Sequence, residues 1–431
     1  MLVSIVRFWY NGWIKTTYID PSFHFKYFGF EWVKDFGIYT YLIFIICALS
    51  SIFISIGYKY RYSIIIFFLS FTYIELIDKT TYLNHYYFIS SISFLMCFLP
   101  LNCYFSIDSF LSKKSIKIQP KWTVDSIKLM LTIVYFYAGI AKINSEWLLK
   151  AMPLSIWLPS KYDLPLIGSN LMQEQWVHYL MSWGGMFYDL LIPFLLLYKR
   201  TRLFAFLLVI FFHVFTKVLF PIGMFPYIMI VASLIFFDSK THEKILKVIR
   251  KVIDYLNFKR YKIANLPKAI NSNGIKVNKL SFSIIVIFFI LQILIPLRYT
   301  LYPGELFWNE QGYRFSWRVM LIEKRGYSNF KIVDSISKKY FYVQNDDFLT
   351  SYQEKQMSFQ PDFILEYAHY LGDHFKSQGH KNIQIYVDSH VALNGRSSTR
   401  FIDSNVNLYN EKESFKHKKW IIPFKDEIKG F

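Results

Sequence analysis

Charge is scarce in this chain: Asp, Glu, Lys and Arg make up 18% of its 431 residues, against about a quarter in soluble domains. Cysteine is scarcer. The three cysteines, Cys47, Cys97 and Cys103, lie in or beside apolar runs. None follows Cys103, so the C-terminal part has neither a disulfide framework nor a cysteine metal site. The G-x-S-x-G, Walker, H-E-x-x-H and dinucleotide signatures are all missing, which removes the usual hydrolase, nucleotide and zinc-peptidase readings. The opening "MLVSIVRFWYNGWIKTTYIDP" lacks the basic leader, apolar core and small-residue cleavage site of a signal peptide. It reads as an amphipathic interfacial helix. No internal repeat or low-complexity segment stands out.

What is abundant is apolar and aromatic: 54% of residues are hydrophobic, with 44 Phe and 33 Tyr. Apolar runs recur at membrane-crossing length over 38–57, 62–76, 86–105, 126–144, 177–198, 202–220, 222–237 and 281–297, which predicts about eight spans. The net charge of +19 would ordinarily suggest nucleic acid. Here the cations sit between apolar segments, as positive-inside topology requires, and no nucleic-acid partner is expected. The basic loops contain Lys59 and Arg61; Lys113, Lys114, Lys117 and Lys121; Lys199, Arg200 and Arg202; and a long series from Lys240 to Lys279 that includes Lys259, Arg260, Lys262, Lys268 and Lys276. With eight spans all four share the cytoplasmic face. Residues 77–85, 145–176 and everything after 298 then fall outside the cytoplasm.

The predicted fold is therefore mainly α, a polytopic helical membrane domain (residues 1–298) followed by an extracytoplasmic α/β domain (residues 299–431). In the latter, "FKIVDSISKKYFYVQ" and "IQIYVDSHVAL" alternate like strands, and "PDFILEYAHYLGDHF" has helical periodicity behind a proline.

Four groups could carry chemistry. In "LTIVYFYAGIAKINSEW", Tyr135, Ala138, Gly139 and Lys142 share a helical face. The two small residues leave room for a flat ring or for a close helix neighbour, and an amine at the edge of an apolar run suggests function or snorkelling. Asn84 and His85 stand at the outer entrance of a span. His213 and Lys217 are one helical turn apart in "FFHVFTKVLFPIGMFPY", and Lys217 competes with Lys142 as a buried amine. "ALNGRSSTRFID" offers Arg396 and Arg400, which could hold a carboxylate or could be solvated surface charge.

The segments "YLNHYYF", "VYFYAGIAKINSEWL", "FFHVFTKVLFPIGMFPY", "LYPGELFWNEQGYRFSWRVML" and "VALNGRSSTRFID", in that order, resemble the vitamin K-dependent gamma-carboxylase family. The likeness is greatest to bacterial members with the horizontally transferred transmembrane domain. It implies an enzyme that oxidises vitamin K hydroquinone, or menaquinol, with O2 to the epoxide. The alkoxide base so formed removes a γ-proton from a glutamate of a peptide or protein, and the carbanion adds CO2. No metal is implied. The resemblance makes Lys142 the base that deprotonates the quinol, which needs a neutral amine, and an apolar pocket disfavours the ammonium form. It makes Asn84 and His85 catalytic, places Tyr135, His213 and Trp317 at the quinol, and assigns Arg396 and Arg400 to the acidic substrate. The implied setting is a bacterial inner membrane, with membrane lipids as partners and the C-terminal domain periplasmic.

The chain departs from that pattern at Tyr299 and Ile322, where the family has histidines, and it lacks the long extension of the animal enzyme. Two rival readings follow: a quinol epoxidase without protein carboxylation, and a non-catalytic quinone-binding scaffold.

Overall fold

The computed structural model describes residues 1–103, 106–112, 115–116, 120–160, 170–255, 269–270 and 279–431. The loop cations Lys113, Lys114, Lys117, Lys259, Arg260, Lys262, Lys268 and Lys276 lie outside these. A short helix α1 (Leu2–Tyr10) leads into the membrane domain. Among the described residues, six helices are long and apolar enough to cross a bilayer: α2 (Gly37–Ile56), α3 (Tyr60–Ile77), α5 (Lys121–Ile140), α6 (Gln175–Leu197), α7 (Arg202–Leu219) and α10 (Lys279–Leu301). The other two predicted spans are shorter helices, α4 (Asn84–Cys97) and α8 (Phe225–Phe236). At 1.5 Å per residue each falls short of the ~30 Å apolar core as a straight helix, while the basic loops share one face only when both segments are counted as crossings. The charge series after α8 opens with the amphipathic helix α9 (Ser239–Tyr255).

The membrane domain closes around α5, whose buried side carries Met130, Leu131, Val134, Tyr135, Ala138 and Gly139. Gly139 is required by a close approach. A Cβ there would stand 2.8 Å from the backbone nitrogen and side chain of Leu190 on α6. Of the two small residues, glycine serves the helix contact and alanine faces open space. Pro193 sits inside α6, which membrane helices tolerate when neighbours satisfy the freed carbonyl.

The C-terminal part is a four-stranded antiparallel sheet under a helix. β1 (Lys324–Asp334) pairs with β2 (Tyr340–Tyr342) on one side. On the other it pairs with β3 (Ile383–Leu393), from Lys324 opposite Leu393 to Asp334 opposite Ile383. β4 (Thr399–Arg400) pairs with β3 and completes the sheet. Strand alternation puts Phe330, Ile332, Ile385 and Val387 on one face, where they bury against Phe363, Ile364, Tyr367 and Leu371 of helix α12 (Pro361–Ser377), which follows α11 (Ser351–Met357). The predicted strands and helix are all present.

This domain rests on the segments that the charge pattern assigns to the outer side. Lys79 pairs with Asp362 at 2.8 Å and Glu366 at 3.1 Å, and Arg396 pairs with Glu146 at 2.7 Å. Trp157 Nε1 donates to Glu323 at 2.7 Å.

Candidate functional site

Lys142 follows the last turn of α5 in a connection held from both ends. Asn144 accepts a hydrogen bond from the Trp147 amide at 2.9 Å and donates to the Ala141 carbonyl at 2.8 Å, so it caps the next short helix while closing the turn. Lys429–Phe431 clip the same turn. The Ser145 amide donates to the Lys429 carbonyl at 2.7 Å, and the Phe431 amide to the Ile143 carbonyl at 2.9 Å. Gly430, at φ +124°, lies so close to Ile143 and Asn144 that any side chain would collide with them.

Within that turn Lys142 is 6% exposed. Its Nζ donates to Asp189 Oδ2 at 2.7 Å and to the Ala138 carbonyl at 3.0 Å, and sits 5.5 Å from the centre of the Trp147 ring. A neutral amine in an apolar pocket is the expectation; the structure sets Lys142 against a buried carboxylate. About two turns earlier on the same face of α5, Tyr135 shares a hydrogen bond of 3.0 Å with His213 Nε2 on α7. The other ring nitrogen of His213 is buried and has no partner among the described residues.

These groups form the polar end of a cavity of about 740 Å³, well within the size range of small-molecule sites. Tyr135, Ala138, Lys142, Asp189 and His213 line it, and most of its remaining wall is Leu, Met and Phe. Trp176, Leu180, Phe187 and Leu191 of α6 and Phe211 of α7 also line it and are exposed on the outside of the bundle. The cavity therefore reaches the flank that faces lipid. Lys217 does not line it, which separates the two competing amines.

Asn84 and His85 line a second cavity, of about 930 Å³, between α1, the start of α4 and the N-terminus of α11. Asn84 is held by the Tyr82 hydroxyl and the Arg318 carbonyl, both at 3.0 Å. The His85 ring carries no hydrogen bond among the described residues and packs on Tyr86 and Phe225. The two cavities share a wall made of Ile222, Phe225, Val319 and Met320. Phe225 stands in its centre, 5.7 Å from the His85 ring and 5.8 Å from the His213 ring.

Three of the remaining expectations land elsewhere. Trp317 is fully buried on Tyr87, 4.8 Å between rings, and lines neither cavity. Its neighbours Val319 and Met320 reach the shared wall because the segment turns at a positive φ at Trp317 and again at Met320. Arg396 is saturated by protein: its guanidinium meets Glu146 at 2.7 and 2.9 Å and Asp426 at 2.8 Å. Burial would raise the Glu146 carboxyl, but the hydrogen bonds from Arg396, Lys150 and Asn394 outweigh it and hold it down to about 2. Arg400 is exposed, 3.9 Å from Asp388. The two arginines do not converge on a common ligand position. Tyr299 lies under the Arg318 guanidinium at 4.6 Å, also away from both cavities.

Asp189 is the residue that sequence reading missed. It is the single acid in the run "QWVHYLMSWGGMFYDLLIPFLLL", and a lone carboxylate inside a span is itself a signal of function.

Residues 1–240 match the HTTM domain family, and residues 277–427 match the lumenal domain of the vitamin K-dependent gamma-carboxylases. Together the two matches cover nearly all of the chain, and the first alone covers more than half. No solved structure matches it.

Proposed function

Because the chain belongs to the vitamin K-dependent gamma-carboxylase family, with an HTTM domain for its membrane part, we propose that it is an integral membrane carboxylase-like enzyme. It couples oxidation of a naphthoquinol, vitamin K hydroquinone or menaquinol, to carboxylation of glutamate in a peptide or protein. The observation that carries this reading is the Lys142–Asp189 pair at the polar end of an otherwise apolar cavity.

The residues present fit such a ligand. A hydroxylated aromatic head needs a few hydrogen-bonding groups at one end of an apolar sleeve. Lys142, Tyr135 and the unpartnered nitrogen of His213 supply that end, and the exposed flank between α6 and α7 admits a molecule dissolved in the bilayer. When bound with O2, the quinol supplies the oxidation that drives removal of the glutamate γ-proton and addition of CO2.

The protein's part is to move the first proton. Nζ of Lys142 has three hydrogen positions, and Asp189 and Ala138 occupy two. Handing a proton to Oδ2 of Asp189 along the 2.7 Å bond leaves Nζ a neutral amine, whose lone pair then takes a proton from a bound hydroxyl. The pair then carries one net positive charge opposite the new anion, in a setting where water is scarce and charge interactions are strong. Asn84 and His85, across the Phe225 wall, face the side from which the glutamate approaches. The C-terminal domain lies in the periplasm of a bacterial inner membrane, in line with the basic loops on the opposite face.

Mass spectrometry of purified enzyme incubated with menaquinol, O2, bicarbonate and a glutamate peptide tests the reading. Quinone epoxide together with γ-carboxyglutamate supports it. Epoxide alone assigns a quinol epoxidase, consistent with the departures at Tyr299 and Ile322. Neither product, with every naphthoquinol tried, assigns a scaffold.

A further inference from the structure

The larger cavity contains a cation that the proposed proton chemistry does not use. Arg7, on α1, is the only lysine or arginine among the described residues that line it, in company with Ser4, Thr16, Thr17, Asn84 and His85. Its guanidinium lies 4.9 Å from the centre of the Trp13 ring and makes no ion pair or hydrogen bond among the described residues. The helix that carries it is anchored: Phe8 packs edge-on against Trp13 at 5.3 Å and on Phe44 at 6.3 Å. Stacking on Trp13 fixes the fork without consuming its donors.

The acid in the same cavity does not compete. Asp78 is 1% exposed, and its oxygens are taken by His24 at 3.0 Å, the Thr80 amide at 2.9 Å, the Thr80 hydroxyl at 2.6 Å and Gln353 at 2.9 Å. A guanidinium with five donors, held on a ring and left without an anion, is a carboxylate receptor.

We propose that Arg7 binds the side-chain carboxylate of the glutamate substrate, in the chamber that also holds His85 and against the Phe225 wall of the apolar cavity. This rests on the carboxylase reading and names the residue that selects an acidic substrate. It also accounts for the engagement of Arg396 elsewhere, since the acid is held on the membrane side of the domain boundary. Thr350, Ser351 and Tyr352 at the start of α11 also line the chamber.

The test is a ratio of affinities, which needs no turnover. The full chain in nanodiscs is titrated at pH 7 with acetyl-Ala-Glu-Ala-amide and with its glutamine counterpart, and binding is followed by thermophoresis. The parent binds the glutamate peptide about ten- to a hundredfold more tightly, as expected for a charge-assisted bidentate contact. In Arg7→Gln the ratio falls to near one while the glutamine peptide still binds. Arg7→Lys keeps the charge without the fork and gives an intermediate ratio. Should Arg7→Gln fail to fold, Trp13→Leu, which removes the ring beneath the guanidinium, lowers the ratio in its place. Equal affinity of the parent for both peptides, or an undiminished ratio in Arg7→Gln or in Trp13→Leu, overturns the assignment. Failure of the carboxylase reading itself shows in the epoxide and γ-carboxyglutamate assay and leaves this ratio untouched.

Discussion

Two buried lysines of this protein are exposed to the same small extent, 6% each, and are built for opposite ends. Lys79, where the two domains meet, touches two carboxylates, Asp362 and Glu366, and lies 4.7 Å from the Phe363 ring. Arg314 shares Asp362 at 2.7 Å and completes a closed network. Lys142 has one carboxylate, one carbonyl and a cavity. Burying an ion is costly, and the cost is met only when its remaining hydrogen-bonding capacity is filled. The Lys79 ammonium has two carboxylates and lines neither cavity. Lys142 has a single carboxylate and opens on the apolar cavity, so a ligand can reach it, and that access is the feature that points to chemistry.

The sharpest way to break this comparison is to remove each lysine and read two quantities. Lys142→Ala should lower quinone epoxide formation by about 10²–10⁴-fold, the range for loss of a general base, measured by mass spectrometry on protein of verified fold. Asp189→Asn should fall in the same direction because the relay loses its acceptor. Lys79→Ala should leave epoxide formation per folded molecule near the parent value. Similar rate losses for Lys142→Ala and Lys79→Ala would end the distinction.

Stability should show the reverse pattern in its response to repacking. Asp362→Ala leaves Lys79 and Arg314 without their shared anion, so a loss of about 3–5 kcal/mol is expected, read as a lower midpoint of thermal unfolding in detergent. Lys142→Ala strands Asp189 and should also cost stability. The double replacement Lys142→Met with Asp189→Leu should recover it without recovering epoxide formation, since a well-packed apolar pair often equals a buried ion pair. A double variant as unstable as Lys142→Ala alone would mean that the pair is structural.

How much of this was legible beforehand depends on whether a feature is local. Spans, strands and α12 are written in periodicities of a few residues, and they are found where hydropathy and alternation place them. Two of the expected spans, over 86–105 and 222–237, coincide with shorter helices, Asn84–Cys97 and Phe225–Phe236, because an apolar composition does not say where the helix breaks. Lys142, Tyr135 and His213 converge on one cavity, and motif likeness alone connected them across 78 residues. Asp189 was overlooked because its importance depends on Gly139 letting α6 approach α5, a fact of packing and not of spacing. The same holds for Arg396. Its sequence context suits a ligand, but Glu146, 250 residues earlier, already fills it.

The smallest expected effect sharpens the comparison from the side of pH. In the Lys79 network, burial pushes the Glu366 carboxyl up to about 7, against the pull of Lys79 and the Lys26 amide, while Arg314 and Lys79 hold Asp362 far below its usual range. A raised carboxyl binds its proton in the folded state after the unfolded chain has released it. Between the unfolded value near 4.5 and about 7 the folded protein thus holds more protons, and stability falls as pH rises through that window. Asp362 acts in the opposite sense but only below its ordinary value of 3.8, outside the window. Unfolding midpoints measured at pH 5 and pH 8 should therefore differ by an amount on the order of 1–3 kcal/mol, with the protein more stable at pH 5. Glu366→Gln, neutral at both, should flatten the difference, whereas Glu146→Gln, whose carboxyl is already ionised below the window, should not. A slope that survives Glu366→Gln would place the titrating group outside the Lys79 network and remove the last distinction between an enclosed lysine and one that opens on a cavity.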